Sequence, residues 1–282
     1  MPESVYLNGE WLAPEAAKVS VFDRGFLFAD GIYEVVPVYQ GQPFLLEHHL
    51  ARLERSLAAL AIESAGQQFW LELIDDLLAR NQSDNALVYI QVTRGAEAKR
   101  SHLPQGPLAP TIFASVSAMP VHWDVPAPAQ ATLLEDIRWL RCDIKSISLL
   151  GNIMLKQQAQ ACGALEPILH RDGLITEGAS SNYFAVKNGE LYTAPTDHLI
   201  LPGITRMWVI ELARELGIPV HEQAFAVTDL AQLDELFLTS SSREVQPIGQ
   251  IDDIIIGQGG CGKVTEQLVH AFHASKRQLS AQ

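Results

Sequence analysis

At 282 residues and 48% hydrophobic composition, the chain is long enough for two cores and too apolar to be disordered. Its 20 basic and 33 acidic residues leave a formal charge of −13, and no Lys/Arg run exceeds two, which argues against a nucleic-acid binder or an anionic-membrane binder. Cys142, Cys162 and Cys261 are too widely spaced for a disulfide framework or a CxxC metal site, so free thiols in a reducing cytoplasm are expected.

The N-terminal stretch MPESVYLNGEWL lacks the basic and apolar regions of a signal peptide. Within it, VYLNGEW carries an Asn-Gly turn between apolar residues and predicts a hairpin. A second hairpin is expected around Gln40-Gly41 in EVVPVYQGQPFLL, with Pro37 marking an edge or a bulge. LLEHHLARLERSLAALA and QQFWLELIDDLLARNQ have apolar residues at helical spacing. NALVYIQVTRG and TIFASVSAMP read as strands, and the proline-rich MPVHWDVPAPAQ reads as a linker. Downstream, ATLLEDIRWL is a strand and SLLGNIMLKQQAQACGA a helix. EPILHRDG and SNYFAVKNGELYTA are strands, and ITRMWVIELARELG is a helix closed by Gly217. ELFLTSS and IGQIDDIIIG are strands, followed by a terminal helix in KVTEQLVHAFHASKRQ. The pattern predicts an α+β chain of two domains, each a mixed sheet or barrel with packed helices. The expected limits are 1–120 for the N-terminal domain, 121–130 for the linker and 131–282 for the C-terminal domain, which carries Lys145. No G-x-G-x-x-G follows a strand, which argues against a dinucleotide fold, and no HExxH-type spacing points to a metal.

Lys145 stands between a strand-like run (Ile137, Trp139, Ile144) and a helix start. Most lysines lie on the surface, but one desolvated at the end of a strand is a nucleophile toward carbonyls. Three other stretches bear on it. ITEGASSN sets Glu177 among small residues, where a carboxylate could pair with a protonated ring nitrogen. LPGITR opens a helix after a Pro-Gly turn, leaving free N–H groups beside Thr205. LFLTSSSREV ends a strand in Thr239, Ser240, Ser241 and Ser242. Each alone is ordinary. Together they supply what pyridoxal phosphate requires: an amine, a carboxylate and two anion cradles.

DRGFLFADGIYEVV, EHHLARL, QVTRG, EDIRWLRCDIKS, LLGN, ILHRDGLITEGASSN, LILPGITR and DELFLTSS follow one another in order along nearly the whole chain. In these blocks the chain resembles the fold-type IV (class IV) pyridoxal-phosphate aminotransferases, and within them the branch that acts on D-amino acids. The resemblance implies that Lys145 is the Schiff-base and proton-shuttling lysine and that Glu177 is the partner of the pyridine nitrogen. It implies that Arg52, Ile204, Thr205, Ser240 and Ser241 hold the phosphate. Leu201 would pack behind the ring, Arg138 would reach its phenolic oxygen, and Ser180 would lie near the reacting imine. Tyr33, Arg100 and His102 match the trap for the substrate carboxylate, with the Arg-x-His pair arriving from a neighbouring subunit. That arrival implies a homodimer with a shared active site, and an arginine fork placed there would fix which face of Cα meets the lysine, selecting the D enantiomer. The activity implied is ping-pong transamination of D-amino acids such as D-alanine with 2-oxo acids such as 2-oxoglutarate. Branched-chain L-aminotransferases, aminodeoxychorismate lyases and (R)-amine transaminases share the cofactor positions and are the alternatives. The Arg100–His102 pair argues against them. The loop from Arg94 to Arg100 is longer than the family pattern, Lys99 is a rival for the carboxylate, and Ala179 and Arg243 depart from it.

Overall fold

A computed structural model describes residues 2–279, which form two compact units. The first comprises residues 2–121 together with 144–148, and the second residues 122–143 and 149–279. The outer limits expected at residues 1 and 282 lie outside the described residues.

The first unit contains β1 (Val5–Leu7), β2 (Glu10–Leu12), α1 (Arg24–Phe28), β3 (Gly31–Tyr39), β4 (Gln42–Pro43), α2 (Leu46–Ala59), α3 (Gln67–Asn81), β5 (Ala86–Thr93) and β6 (Thr111–Ala118). Its sheet runs β2-β1-β6-β5-β3-β4 and is antiparallel throughout. Asn8 and Gly9 both take positive φ, as the tight turn between β1 and β2 demands. Alternate residues of β5 (Ala86, Val88, Ile90, Val92) join Leu50, Leu53 and Leu57 of α2 and Trp70, Ile74 and Leu77 of α3 in the core. Pro37 lies inside β3 without breaking it. Its carbonyl accepts from Phe44 N (2.8 Å), so the missing N–H faces the same side, where the two-residue β4 has ended.

The second unit contains β7 (Ala129–Glu135), α4 (Leu150–Ala161), β8 (Glu166–Arg171), β9 (Leu174–Ile175), β10 (Asn182–Lys187), β11 (Glu190–Tyr192), α5 (Ile204–Glu215), β12 (Val220–His221), a 3-10 turn (Val227–Gln232), β13 (Glu235–Ser240), β14 (Glu244–Ile251), β15 (Ile254–Ile255) and α6 (Lys263–Leu279). The sheet order is β12-β11-β10-β13-β14-β7-β8-β9, with β15 paired to β14. Here the pairing is mixed. β7 runs parallel to both β8 and β14, and α4 supplies the crossover between β7 and β8. The core joins Ala131, Ile168, Tyr183, Leu236, Leu238 and Ile248. Among the described residues no helix is long and apolar enough to cross a membrane.

Sequence expectations differ from the structure at several points, and the single strand expected over IGQIDDIIIG is a hairpin of β14 and β15 turning at Asp252. The strand expected over ATLLEDIRWL stops at Glu135, because the buried Asp136 carboxylate captures the Arg138 N–H (3.0 Å) and turns the chain. Lys145, expected in the C-terminal domain, packs with the first unit. The first residues of β3 lie beyond the reach of β4, and the segment around Lys145 fills that place. Tyr33 N donates to Lys145 O (2.9 Å), Ile147 N donates to Gly31 O (3.1 Å), and Ile32 bridges Ser146. Finally, the expected linker is built into the second unit. Its Trp123 ring sits 5.8 Å from that of His273, and β7 has begun by Ala129.

Candidate active site

In the first unit, the site is built on β3 and one face of α2. Side chains alternate along β3, so Glu34 falls on the core-facing row with Ile32, Val36 and Val38. A carboxylate there needs partners. They come from α2, where His49, Arg52 and Ser56 share one face at i, i+3 and i+7 and are all buried. Arg52 Nε and Nη2 donate to the two Glu34 oxygens (2.9 and 2.6 Å), and His49 Nδ1 lies 3.0 Å from Oε1. Burial alone would raise the Glu34 carboxyl. Arg52 and then His49 outweigh it and hold the group well below the usual carboxylate range. Burial lowers His49, and its Nδ1 faces a carboxylate oxygen, which can only accept. Removing one member of such a cluster is costly. Glu34→Ala is expected to lower unfolding free energy by about 3–5 kcal/mol, read from the urea midpoint. An unchanged midpoint would mean the cluster does not hold α2 to β3.

The third residue of that α2 row meets the lysine: Ser56 Oγ accepts from Lys145 N (3.3 Å). The Lys145 side chain makes no hydrogen bond or ion pair among the described residues. Its Nζ lies over the Tyr33 ring, 4.3 Å from the centroid. Arg100 and His102 are exposed and both pack on Phe28, with the Arg100 guanidinium 4.8 Å from the ring centroid. Arg24 braces their loop by donating to the carbonyls of Ser101 (2.7 Å) and His102 (2.8 Å). Among the described residues no hydrogen bond or ring contact links Arg100 or His102 to Tyr33 of the same chain, whose ring instead meets Tyr89 and Lys145.

In the second unit, Glu177 is the centre of a buried network. It accepts from Arg138 Nη1 (2.5 Å), Asn182 Nδ2 (2.9 Å) and Leu201 N (3.0 and 3.1 Å). Arg138 places its Nε and Nη2 on Asp136 (2.9 and 2.8 Å), and Arg171 and Thr176 also donate to Asp136. Arg138 is thus committed to two carboxylates. Burial raises Glu177 to about 7, against the pull of Arg138. Leu201, expected behind a ring, contributes its backbone N–H to Glu177. Asn182 also donates to Leu201 O (3.0 Å) and so ties Glu177 to the loop that enters α5.

Ile204 and Thr205 form the first turn of α5, and both are buried. Its N-cap is Gly203, which offers no side-chain cap, so the first N–H groups are left for other acceptors. A Cβ on Gly203 would meet Asn182 Oδ1 at 2.1 Å. Ser240 and Ser241 begin the turn between β13 and β14, where Ser240 Oγ accepts from Arg243 N (3.1 Å). Ser180 N and Oγ donate to Glu166 (2.7 and 3.1 Å). Gly178 is required at that turn, since a Cβ there would lie 2.3 Å from Ser181 Oγ. Cys142 is buried, and its thiol is pushed up to about 11, as expected of a packing residue rather than a nucleophile.

Sequence reasoning missed Glu34, His49, Asp136, Glu166 and Asn182. A signal existed for two of them. Glu34 breaks an otherwise apolar in-facing row, and Asn182 closes the E-G-x-S-S-N block.

Each unit of this α+β chain carries its own groups: Lys145 in the first, Glu177 and the start of α5 in the second. Residues 31–251 match the model for Amino-transferase class IV, and the chain belongs to that family. D-alanine aminotransferase of Staphylococcus aureus (strain MSSA476) is 39% identical over 272 residues, covering 96% of each chain. D-alanine aminotransferase of Listeria monocytogenes serotype 1/2a is 40% identical over 272 residues, covering 95% of this chain and 94% of the other. Among solved structures, a branched-chain amino acid aminotransferase of Escherichia coli superposes with a TM-score of 0.91 at 26% identity, covering 97% and 94% of the two chains. A branched-chain aminotransferase of Thermoproteus uzoniensis with norvaline gives 0.84 at 25% identity, covering 95% and 93%.

Proposed function

We infer that this protein transaminates D-amino acids such as D-alanine with 2-oxo acids such as 2-oxoglutarate, using pyridoxal phosphate. The observation that carries this reading is the Arg100–His102 pair. A guanidinium and an imidazole stand exposed on a loop braced by Arg24 and Phe28, with no hydrogen bond or ring contact to their own Tyr33 among the described residues. That arrangement suits a homodimer in which the loop reaches the neighbouring site, where the arginine fork grips a substrate carboxylate. The three free cysteines fit a reducing cytoplasm.

The donor set fits the cofactor. Lys145 holds an amine with no hydrogen-bonding partner of its own among the described residues, Glu177 a buried carboxylate, and the α5 start and the Ser240–Ser241 turn hold anion donors. When bound, pyridoxal phosphate supplies an aldehyde for the amino group and an electron sink for the carbanion at Cα. Lys145 holds the cofactor covalently and moves the proton at the substrate Cα. Glu177 keeps a proton on the ring nitrogen by standing beside it as a carboxylate. Arg52, positioned by Glu34, is a phosphate ligand on this reading, and Ile204, Thr205, Ser240 and Ser241 are the others. Arg138 and Asn182 hold Glu177, and Ser180, fixed by Glu166, lines the reacting side. Tyr33 and the partner subunit's copy of the Arg-x-His loop bind the substrate carboxylate.

A second reading is a branched-chain L-aminotransferase, favoured by the solved neighbours, though those share only 25–26% identity. The visible spectrum of the protein saturated with pyridoxal phosphate separates the two. Bleaching of the yellow band by D-alanine and not by L-valine is expected. Bleaching by L-valine alone would move the protein to the second reading, and no band after reconstitution would remove the cofactor.

A further inference from the structure

Lys276, on the last helix, has a fully buried side chain. Its Nζ donates to both oxygens of Glu244 (2.8 and 2.7 Å) and to His122 O (3.1 Å), and it lies 4.6 Å from the centre of the Trp123 ring. Arg277 covers the same ring at 4.9 Å, and His273 Nε2 lies 3.6 Å from Glu244 Oε2. A buried lysine is expensive unless paired, and a surface pair would serve stability as well. Its partner is unusual too. Glu244 closes the turn between β13 and β14 with φ 56, in the left-handed region. After a three-residue hairpin loop that position ordinarily takes glycine. A glutamate there accepts backbone strain and returns a carboxylate. Glu244 pairs with Ser240 across the turn, whose inner residues are Ser241, Ser242 and Arg243.

We propose that Lys276 and Glu244 are positioning residues that lock the Ser240–Ser241 turn into its phosphate-binding shape from the C-terminal helix. The inference rests on the proposed contact between this turn and the cofactor phosphate. Neither residue touches the reacting atoms, so the clamp acts on affinity for the phosphate end alone.

The test compares pyridoxal phosphate with pyridoxal, which lacks the phosphate, on the full-length protein stripped of cofactor. Lys276→Met is expected to weaken pyridoxal phosphate roughly tenfold, leaving pyridoxal affinity and kcat at saturating cofactor unchanged. Adding Glu244→Gln to Lys276→Met should cost little more, because the pair acts as one unit. Where Lys276→Met alone fails to fold, this double variant, which leaves no buried unpaired carboxylate, carries the comparison. Equal weakening of both compounds would reduce the pair to general support of the fold and overturn the proposal. Ser240→Ala and Ser241→Ala are measured alongside. If they weaken pyridoxal phosphate selectively and Lys276→Met does not, the clamp is wrong and the phosphate role of the turn stands. If none of the variants distinguishes the two compounds, both fall.

Discussion

Replacing Lys145 with alanine is expected to lower turnover of D-alanine with 2-oxoglutarate by roughly 10⁴-fold while leaving the fold intact. The two halves of that expectation have separate physical grounds. The lysine amine has two tasks in the proposed reaction, covalent attachment and proton transfer at Cα, and alanine can do neither. The segment that carries it is held by backbone, not by the side chain. Tyr33 N–Lys145 O, Lys145 N–Ser56 Oγ and the Ile32–Ser146 bridge all survive truncation at Cβ. Removing Nζ costs a contact with the Tyr33 ring, worth about 0.5–1 kcal/mol. The check is the rate of pyruvate formation, with circular dichroism and a thermal melt on the same sample. A variant that turns over at the parent rate would remove Lys145 from the chemistry. A variant that is inactive because it is unfolded would contradict the backbone argument.

Glu177→Gln is expected to lower kcat by about 10²–10³-fold and to change how the cofactor-free protein responds to pH. Glutamine keeps the size of the group and an acceptor for Leu201 N, but it cannot carry the charge that, in the proposed reaction, holds a proton on the ring nitrogen. It also turns a donor toward Arg138 or Asn182, both of which already donate to this position. The pH effect follows from the raised carboxyl. In the unfolded chain a glutamate titrates near 4.5, whereas in the folded protein burial raises Glu177 to about 7, against Arg138. Between those values the folded state binds the extra proton. The contribution of Glu177 to stability is therefore full below about 4.5 and is lost as pH rises through about 7. Urea unfolding of the cofactor-free wild type and variant at pH 5 and pH 8 reads this difference. The stability of Glu177 over Gln should shrink toward pH 8, and a difference that grew with pH would show the carboxylate to be stabilised as an anion before any cofactor binds.

Much of the fold is legible in sequence because its elements carry local signals. The Asn8-Gly9 turn, the alternation along β5 and the helical spacing of Leu50, Leu53 and Leu57 each act within a few residues. The short pieces α1, β9 and β12 lacked such a signal, being five residues or fewer. The pair Ile137 and Trp139 carried a misleading one. It alternates like a strand, but Asp136 bends the chain, leaving Ile137 and Trp139 exposed.

The sequence by itself determined the α+β class, the order of the elements and the motif blocks of a class IV aminotransferase, and it singled out Lys145, Glu177 and the LPGITR and LFLTSSS stretches as candidates. Only the tertiary structure decided which charges meet. Lys145 joins the first unit because β4 is too short to cover the start of β3. Arg138 is divided between Asp136 and Glu177, Arg52 is aligned by Glu34, and Lys276 reaches Glu244 from 32 residues away. The physical reason is common to all three. A hairpin or a helix is stabilised by neighbours in the chain, so its pattern is written locally. A buried charge is tolerable only beside its counter-charge, and that pairing depends on distances that exist only after the sheets and helices have packed.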